Sequence, residues 1–290
     1  MDPYREFSER GTPDFRFACY KHRHPLAGTM INMHWHPEIE MLYMRRGEIE
    51  VTAGNEKRRL TNGDIIFIEP DRLHMIVQKT PEIQYDAAVF STSLIEFSDE
   101  NFFQTEITAP LKSGEAEFSG AIPSGSELNS EISYIARKMF DCDINSKAAV
   151  IADMVYIMSR LYGAKYIKKS SAKPDKHSAC IKTCIEYMQK NYRRKISLEE
   201  LADTAHMSPN YFCRYYKQYA GITPFEQLNG IRVKNAAALL GDTDMTVADI
   251  SRRCGFENVG YFIRKFRAVV GCTPGEYRKT KAANDNTIEN

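Results

Sequence analysis

From residue 197 onward the chain repeats itself. Tyr211-Phe212-Cys213-Arg214-Tyr215-Tyr216-Lys217 aligns with Tyr261-Phe262-Ile263-Arg264-Lys265-Phe266-Arg267 at a constant offset of 50 residues. The same offset pairs Gly221-Ile222-Thr223-Pro224 with Gly271-Cys272-Thr273-Pro274, and Glu226 with Glu276. Upstream, Leu198-Glu199-Glu200-Leu201-Ala202 pairs with Val247-Ala248-Asp249-Ile250-Ser251 at an offset of 49, so the turn in the second copy is one residue longer. Each copy reads as a short helix, a tight turn and a second helix, a unit whose second helix fits the DNA major groove. Such a duplication predicts two helical reading heads in one chain.

In the first copy, Ser197 precedes Glu200 by three residues, the spacing of a capping box, and Leu198, Leu201, Ala202 and Ala205 form the inward face of the helix it starts. Ser208 is placed to cap the next helix, with Pro209 at its first position, where a missing N–H costs nothing. Tyr211, Phe212, Tyr215, Tyr216 and Tyr219 make an aromatic stripe, read here as core rather than as a platform for stacked bases. The opposite face carries Asn210, Cys213, Arg214 and Lys217. Arg214 suits bidentate pairing with guanine, Asn210 an adenine edge or a phosphate, and Lys217 the DNA backbone.

The second copy starts its first helix at Thr246 and Asp249 and caps its second with Asn258, turning Tyr261, Phe262, Phe266, Val269 and Val270 inward. Gly260, Ile263, Arg264 and Arg267 are left facing outward. Gly260 and Ile263 bring no polar side chain, so this copy should lean on its arginines and on groove shape. Between the copies, Thr223-Pro224-Phe225-Glu226 opens a helix expected to end at Leu240, with Gly241 as its stop. Such a rod, about 16 residues and roughly 24 Å long, would hold the reading helices in successive major grooves.

These segments carry a family resemblance. Cys254-Gly255-Phe256-Glu257-Asn258, followed by the repeat at 261–267 and by Gly271-Cys272-Thr273-Pro274-Gly275-Glu276-Tyr277-Arg278, resembles the closing motif of the AraC family of bacterial transcription regulators. The resemblance covers about residues 177–279. It implies two helix-turn-helix subdomains joined by a long helix, which bind promoter DNA, work with RNA polymerase and usually activate transcription.

A length of 290 residues suits about two domains, and 43% hydrophobic with 27% charged residues is an ordinary globular composition. No apolar run approaches the ~18 residues of a membrane span, and Met1-Asp2-Pro3-Tyr4-Arg5-Glu6 lacks the apolar core of a signal peptide. The expectation is a cytoplasmic protein. A net charge of +1 conceals an asymmetry: residues 1–124 hold 13 Lys/Arg against 20 Asp/Glu, whereas residues 177–279 hold 16 against 10. The basic excess lies on the repeat, where phosphates must be neutralised. The seven cysteines, at 19, 142, 180, 184, 213, 254 and 272, form no CxxC pair and read as free thiols in packing positions.

The front of the chain is patterned for strands. Ile65-Ile66-Phe67-Ile68 and Ile49-Glu50-Val51-Thr52 are bounded by turns at Gly47, Gly54 and Asn62-Gly63. Gly28-x5-His34-x-His36-x3-Glu40-x6-Gly47 has even steps between His34, His36 and Glu40, so one strand would point all three to one face. A second segment, Gly63-Asp64, Pro70 and His74, would bring another imidazole. This spacing resembles the cupin barrel, whose metal-binding members use three histidines and a glutamate; by position these are His34, His36, Glu40 and His74. Pro70-Asp71-Arg72-Leu73-His74 departs from the pattern, lacking its glycine and running one residue short.

Three readings of this set stay open: ligands of a divalent transition metal, polar contacts to a small organic effector, or histidines satisfied within the fold. AraC-type regulators commonly carry such a barrel for effectors without catalysis, and family habit suggests a sugar. Trp35 alternates away from the histidines and is expected outside the lumen, while Leu42 and Phe67 would line it and exclude water. Phe15, Phe17 and Tyr20 mark an N-terminal arm that could fold over a ligand.

From Ser126 the period changes to that of helices. Leu128, Ile132, Ile135 and Met139 share one face, as do Val150, Met154, Ile157, Met158 and Leu161. The expected organisation is α+β with two domains. Residues 1–124 form a cupin-like antiparallel β-barrel, and 125–166 two helices suited to a homodimer contact. Residues 167–176 are a linker, 177–280 an all-α double helix-turn-helix, and 281–290 a disordered tail. The function expected is an effector-responsive regulator and not an enzyme. The rival is a cupin metalloenzyme, isomerase or dioxygenase, fused to a DNA-binding domain. An alkylation-repair activator would need a cysteine cluster at the front, where only Cys19 lies.

Overall fold

The central strands of the front half are buried along nearly their whole length, as in Ile65-Ile66-Phe67-Ile68. In the computed structural model, which describes residues 11–12, 14–24, 30–54, 56–141, 146–170 and 176–285, eight strands build the two main sheets of this half: β1 Phe17–His24, β2 Met30–His34, β3 Ile39–Arg46, β4 Ile49–Ala53, β5 Glu56–Leu60, β6 Ile65–Ile68, β7 His74–Gln78 and β8 Ile83–Phe90. They pair antiparallel in two four-stranded sheets, ordered β1-β8-β3-β6 and β2-β7-β4-β5. The expected strands at 49–52 and 65–68 are β4 and β6. Among the described residues no backbone ladder joins the two sheets, so the cupin unit is a pair of facing sheets rather than a hydrogen-bonded closed barrel.

The two faces go to different cores, because successive side chains point to opposite sides of a strand. On β3, Leu42 and Met44 point between the sheets and join Ile49, Val51, Ile66 and Ile76. Met41 and Tyr43 point away, into a core roofed by helices α2 (Glu127–Asp141) and α3 (Lys147–Gly163). Phe67 lies in this second core, 5.4 Å from the Phe118 ring, and therefore does not line the lumen as its sequence position suggested. Leu128, Ile132 and Met139 of α2, with Val150, Met154, Ile157, Met158 and Leu161 of α3, press onto the same sheet. The periodic faces of both helices are consumed inside the monomer. Tyr134 and Tyr156 remain outside, 73% and 46% exposed.

Three boundaries differ from expectation. Where it is described, the supposed arm is built into the sheet: β1 pairs with β8 from Phe17↔Phe90 to His24↔Ile83, and Phe15 and Phe17 are buried beneath the helices. A helical stretch interrupts the β-rich front, a π turn at Gln104–Thr108 running into α1, Ala109–Ser113. The expected linker begins as strand β10, Ile167–Lys169, antiparallel to β9, Ala116–Phe118. The rest of the linker at 171–175, like Gly28, Cys142, residues 1–10 and 286–290, lies outside the described residues.

The back half is helical: α4 Lys176–Asn191, α5 Leu198–Thr204, α6 Pro209–Ala220, α7 Pro224–Asp242, α8 Val247–Arg253, α9 Val259–Val270 and α10 Pro274–Asp285. Helix α10 thus runs into the stretch assigned to a tail. The repeat is visible in the bonds that start α7 and α10. Thr223 Oγ1 accepts from the Glu226 N–H and the Glu226 carboxylate accepts from the Thr223 N–H; Thr273 and Glu276 do the same 50 residues on. Between α5 and α6 the turn has four residues, between α8 and α9 five, as the shift in offset required. In the longer turn Gly255 takes φ +82, and a Cβ there would stand 2.3 Å from the Tyr192 carbonyl, so only glycine fits.

Helix α7 is one rod with two cores. Leu228 and Ile231 enter the core of the first head, whereas Val233, Ala236, Ala237 and Leu240 enter that of the second. It does not stop at Gly241: it continues to Asp242, giving 19 residues and roughly 28 Å. Its Arg232 donates to the carbonyls of Tyr192 and Arg194, which fixes the rod against the end of α4.

Candidate nucleic-acid interface and metal centre

The second helix of each repeat, the candidate reading helix, is α6 in the first copy and α9 in the second. Each is amphipathic, with Phe212, Tyr215 and Tyr216 buried on α6 and Phe262 and Phe266 buried on α9. Tyr211 departs from the expected stripe at 52% exposed, and Tyr261 is 37% exposed with its hydroxyl bonded to Asn229 Nδ2 at 3.0 Å. Tyr219 is half-buried and stacks on His177 at 4.0 Å; Val269 and Val270 are likewise half-buried. On the outer face of α6, Asn210, Arg214 and Lys217 are exposed and Cys213 is half-buried. On α9, Gly260, Arg264 and Arg267 are exposed and Ile263 is half-buried.

The caps of these helices differ from the sequence expectation. Ser197 Oγ accepts from the Glu200 N–H at 3.2 Å, but the Glu200 carboxylate does not complete a capping box. It is taken by Tyr187 Oη at 2.9 Å and by the Arg194 guanidinium at 2.7 Å, which tie α5 to α4. Ser208 holds the cap position of α6 with an extended backbone but makes no side-chain cap bond. Asn258 does cap α9, accepting from the Tyr261 N–H at 2.8 Å, and Thr246 caps α8.

Arg214 and Arg264 are not equivalent. The Arg264 guanidinium lies 5.9 Å from the Tyr261 ring, on its own helix. Arg214 stands exposed with no bond or ring partner among the described residues. Lys217, one turn on, is exposed at the end of α6, placed for a phosphate. Lys217→Ala should therefore weaken binding to all duplexes alike and lower the salt dependence by about one ion. Titrating one selected duplex and one scrambled duplex against salt checks this; a loss confined to one base pair would contradict the assignment.

The second site lies at one end of the space between the sheets. His34, His36, Glu40 and His74 are buried, at 6%, 4%, 8% and 0% exposure, and their ligand atoms all lie within 4.8 Å of one another. They do not share one strand. His34 ends β2 and Glu40 is the second residue of β3, strands of different sheets, and His36 sits in the bend between them. The chain crosses from sheet to sheet at this point, and a register shift between Ile31 and His34 turns His34 inward, opposite His74 across the β2–β7 pair. The irregular second segment brings His74 into the set all the same, because Asp71 takes a left-handed φ of 58 and so turns the loop without a glycine.

Two of the imidazoles, those of His36 and His74, are held by their far nitrogens. His36 Nδ1 lies 3.1 Å from the Glu38 carbonyl and His74 Nδ1 lies 2.7 Å from the Arg72 carbonyl. A carbonyl only accepts, so both Nδ1 atoms carry hydrogen. The two Nε2 atoms face the Glu40 carboxylate at 3.3 and 3.0 Å. Burial pushes the Glu40 carboxyl up, but hydrogen bonds and positive charge from His36 and His74 outweigh it and leave it well below the usual carboxylate range. Lone pairs on those nitrogens cannot face a carboxylate without a cation between them, either a proton or a metal ion. Three imidazoles and one carboxylate, with the outer partners of two imidazoles already fixed, suit a divalent transition metal. Trp35, between His34 and His36 in sequence, is half-buried against the first head, with the Lys182 ammonium 5.5 Å from its ring.

Comparison with known proteins agrees with this division. The helix-turn-helix domain family matches residues 201–280 and the cupin domain family residues 22–84. The uncharacterised HTH-type transcriptional regulator YdeC of Bacillus subtilis is 22% identical over 288 residues, spanning 95% of this chain and 96% of its own. The uncharacterised regulator YdiP of Escherichia coli is 26% identical over 245 residues, 83% and 78% of the two chains. Among solved structures, ToxT from Vibrio cholerae with a bound unsaturated fatty acid has a TM-score of 0.50 at 12% identity, covering 93% of this chain and 96% of that one. That likeness is one of fold.

Proposed function

Given that the chain belongs to the AraC family of transcription regulators, with a cupin domain ahead of its two reading heads, we propose that it binds promoter DNA sequence-specifically and answers to a divalent transition metal held by His34, His36, Glu40 and His74. The observation that carries the metal assignment is the buried cluster, whose four ligand atoms lie within 4.8 Å of one another. A gap of that size suits one ion. The space beside it is filled by Leu42, Met44, Ile49, Ile66 and Ile76, which argues against the sugar that family habit suggested.

When bound, the ion supplies positive charge opposite the buried Glu40. The residues around it bind and orient and need carry out no reaction, so the chain acts as a regulator rather than as a cupin isomerase or dioxygenase. The first head reads bases through Asn210 and Arg214, while the second grips mainly through Arg264 and Arg267. The exposed sides of α2 and α3, with Tyr134 and Tyr156, are the surface for a homodimer contact that brings four heads to one promoter. Activation through RNA polymerase in the cytoplasm completes the proposal. No helix among the described residues is long and apolar enough to cross a membrane.

The experiment is metal analysis together with duplex retention, on full-length protein from unsupplemented cells. One bound ion per chain and salt-sensitive retention of duplex DNA are expected. Metal with turnover of a small substrate would move the assignment to the enzyme, and a metal-free chain that still answers to an organic compound would return it to an effector.

A further inference from the structure

The residues that flank the histidines do not face solvent. Met33 and Trp35 bracket His34, and Leu73 and Met75 bracket His74. Since alternate side chains leave a strand on opposite sides, the histidines point inward and these neighbours outward. Met33, Leu73 and Met75 are buried in one core with Ile181 and Ile185 of α4 and Leu228 of α7. The sensor sheet therefore shares a core with the first reading head. The core of the second head is drawn from α7 to α10 alone.

Two polar connections cross the same face. Gln227, 1% exposed on α7, donates from Nε2 to the Met33 carbonyl at 2.8 Å, one residue from His34. Lys182 on α4 donates from Nζ to the Asp71 carbonyl at 2.6 Å, and the Asp71 N–H donates to the His36 carbonyl at 2.7 Å. Asp71 is the residue held at φ 58, a left-handed conformation that β-carbon-bearing residues adopt rarely. The next residue, Arg72, supplies the carbonyl that orients His74. Each histidine of the cluster is thus one or two residues from a contact to the first head. The docked head still exposes Asn210, Arg214 and Lys217.

We propose that this face is the output of the cluster: occupancy fixes β2, β7 and the loop at Asp71, which in turn fixes the first head through Met33–Gln227 and Asp71–Lys182, while the second head reads DNA irrespective of occupancy. The proposal rests on the metal reading above. It needs neither the linker nor a second copy of the chain. Packed interfaces pass on small displacements as changes between discrete arrangements, so filling the cluster stiffens the docked head and favours DNA.

Trp35, the single tryptophan, lies between the cluster and Lys182 and reports on both. The test titrates full-length protein with Zn2+ alone, followed by Trp35 emission. Affinity for the best duplex from a randomised pool is then measured with and without the ion. Wild type should change emission at one ion per chain and bind the duplex at least about fivefold more tightly when loaded, the lower end of usual coupling. Lys182→Met with Gln227→Ala should keep the ion affinity within about threefold and lose the duplex effect to under about twofold. Retained ion binding shows that the double variant is folded, and Lys182→Met alone, at a half-buried side chain, should give a partial loss. Two results overturn the proposal alone: bound Zn2+ with unchanged or weaker duplex affinity in wild type, or the full effect surviving in the double variant. Absence of Zn2+ binding in wild type overturns the metal reading and the proposal with it.

Discussion

Arg214→Ala should weaken binding to the preferred duplex by about 1–3 kcal/mol, roughly fivefold to 150-fold, and erase base preference at one position of the site. The size follows from what the side chain does in the free protein. Arg214 is exposed and uncommitted among the described residues, so its guanidinium meets a guanine edge without first giving up a partner. Arg264 lies over Tyr261, itself bonded to Asn229, and its truncation should cost less and relax no single position. Comparing the two variants on a duplex library separates base reading from charge. Equal and uniform losses would remove the assignment of the first head as the more discriminating one.

Removing a cluster residue should have an effect of similar or greater size on the ion. Loss of an outer partner alone typically costs 10–100-fold in metal affinity, so His74→Ala, which removes a direct candidate ligand, should exceed about 100-fold. Glu40→Gln keeps the volume and deletes the charge. It should reduce affinity strongly while leaving the sheets intact, because the aliphatic packing between them does not involve Glu40. His36→Ala should abolish the response of a reporter promoter while duplex retention persists. Isothermal titration with Zn2+ checks the first two; undiminished binding in either variant would take that residue out of the set.

The helical half was legible because its information is local and written twice. Offsets of 49 and 50 placed both heads, and helical spacing sorted Asn210, Arg214 and Lys217 from Phe212 and Tyr216. The errors came where a tertiary contact overrode a local signal. Glu200 fits a capping box by spacing, but Arg194 offers the carboxylate a full charge and Tyr187 a hydroxyl. Gly241 is a usual helix stop, yet the packing of Leu240 against the second head carries α7 past it.

The front half was legible in composition and less so in geometry. Even spacing of His34, His36 and Glu40 suggested one strand face; the residues converge because the chain changes sheets between β2 and β3. Phe67 falls on the side opposite to the one expected, since β6 is apolar on both faces and only tertiary context decides. The contact between Gln227 and Met33 spans 194 residues of sequence, and no local pattern announces it. The one available signal was the exclusion of Trp35 from the lumen, which left a large aromatic in need of cover.

Selection from a randomised duplex pool, run with the full-length protein at low ionic strength and with Zn2+ present or chelated, tests the central claim most directly. Two conserved blocks with centres about 10–10.5 base pairs apart, the stronger one containing guanine and lost to Arg214→Ala, are the predicted result. A chain that enriches no sequence and retains no duplex under either condition would contradict it.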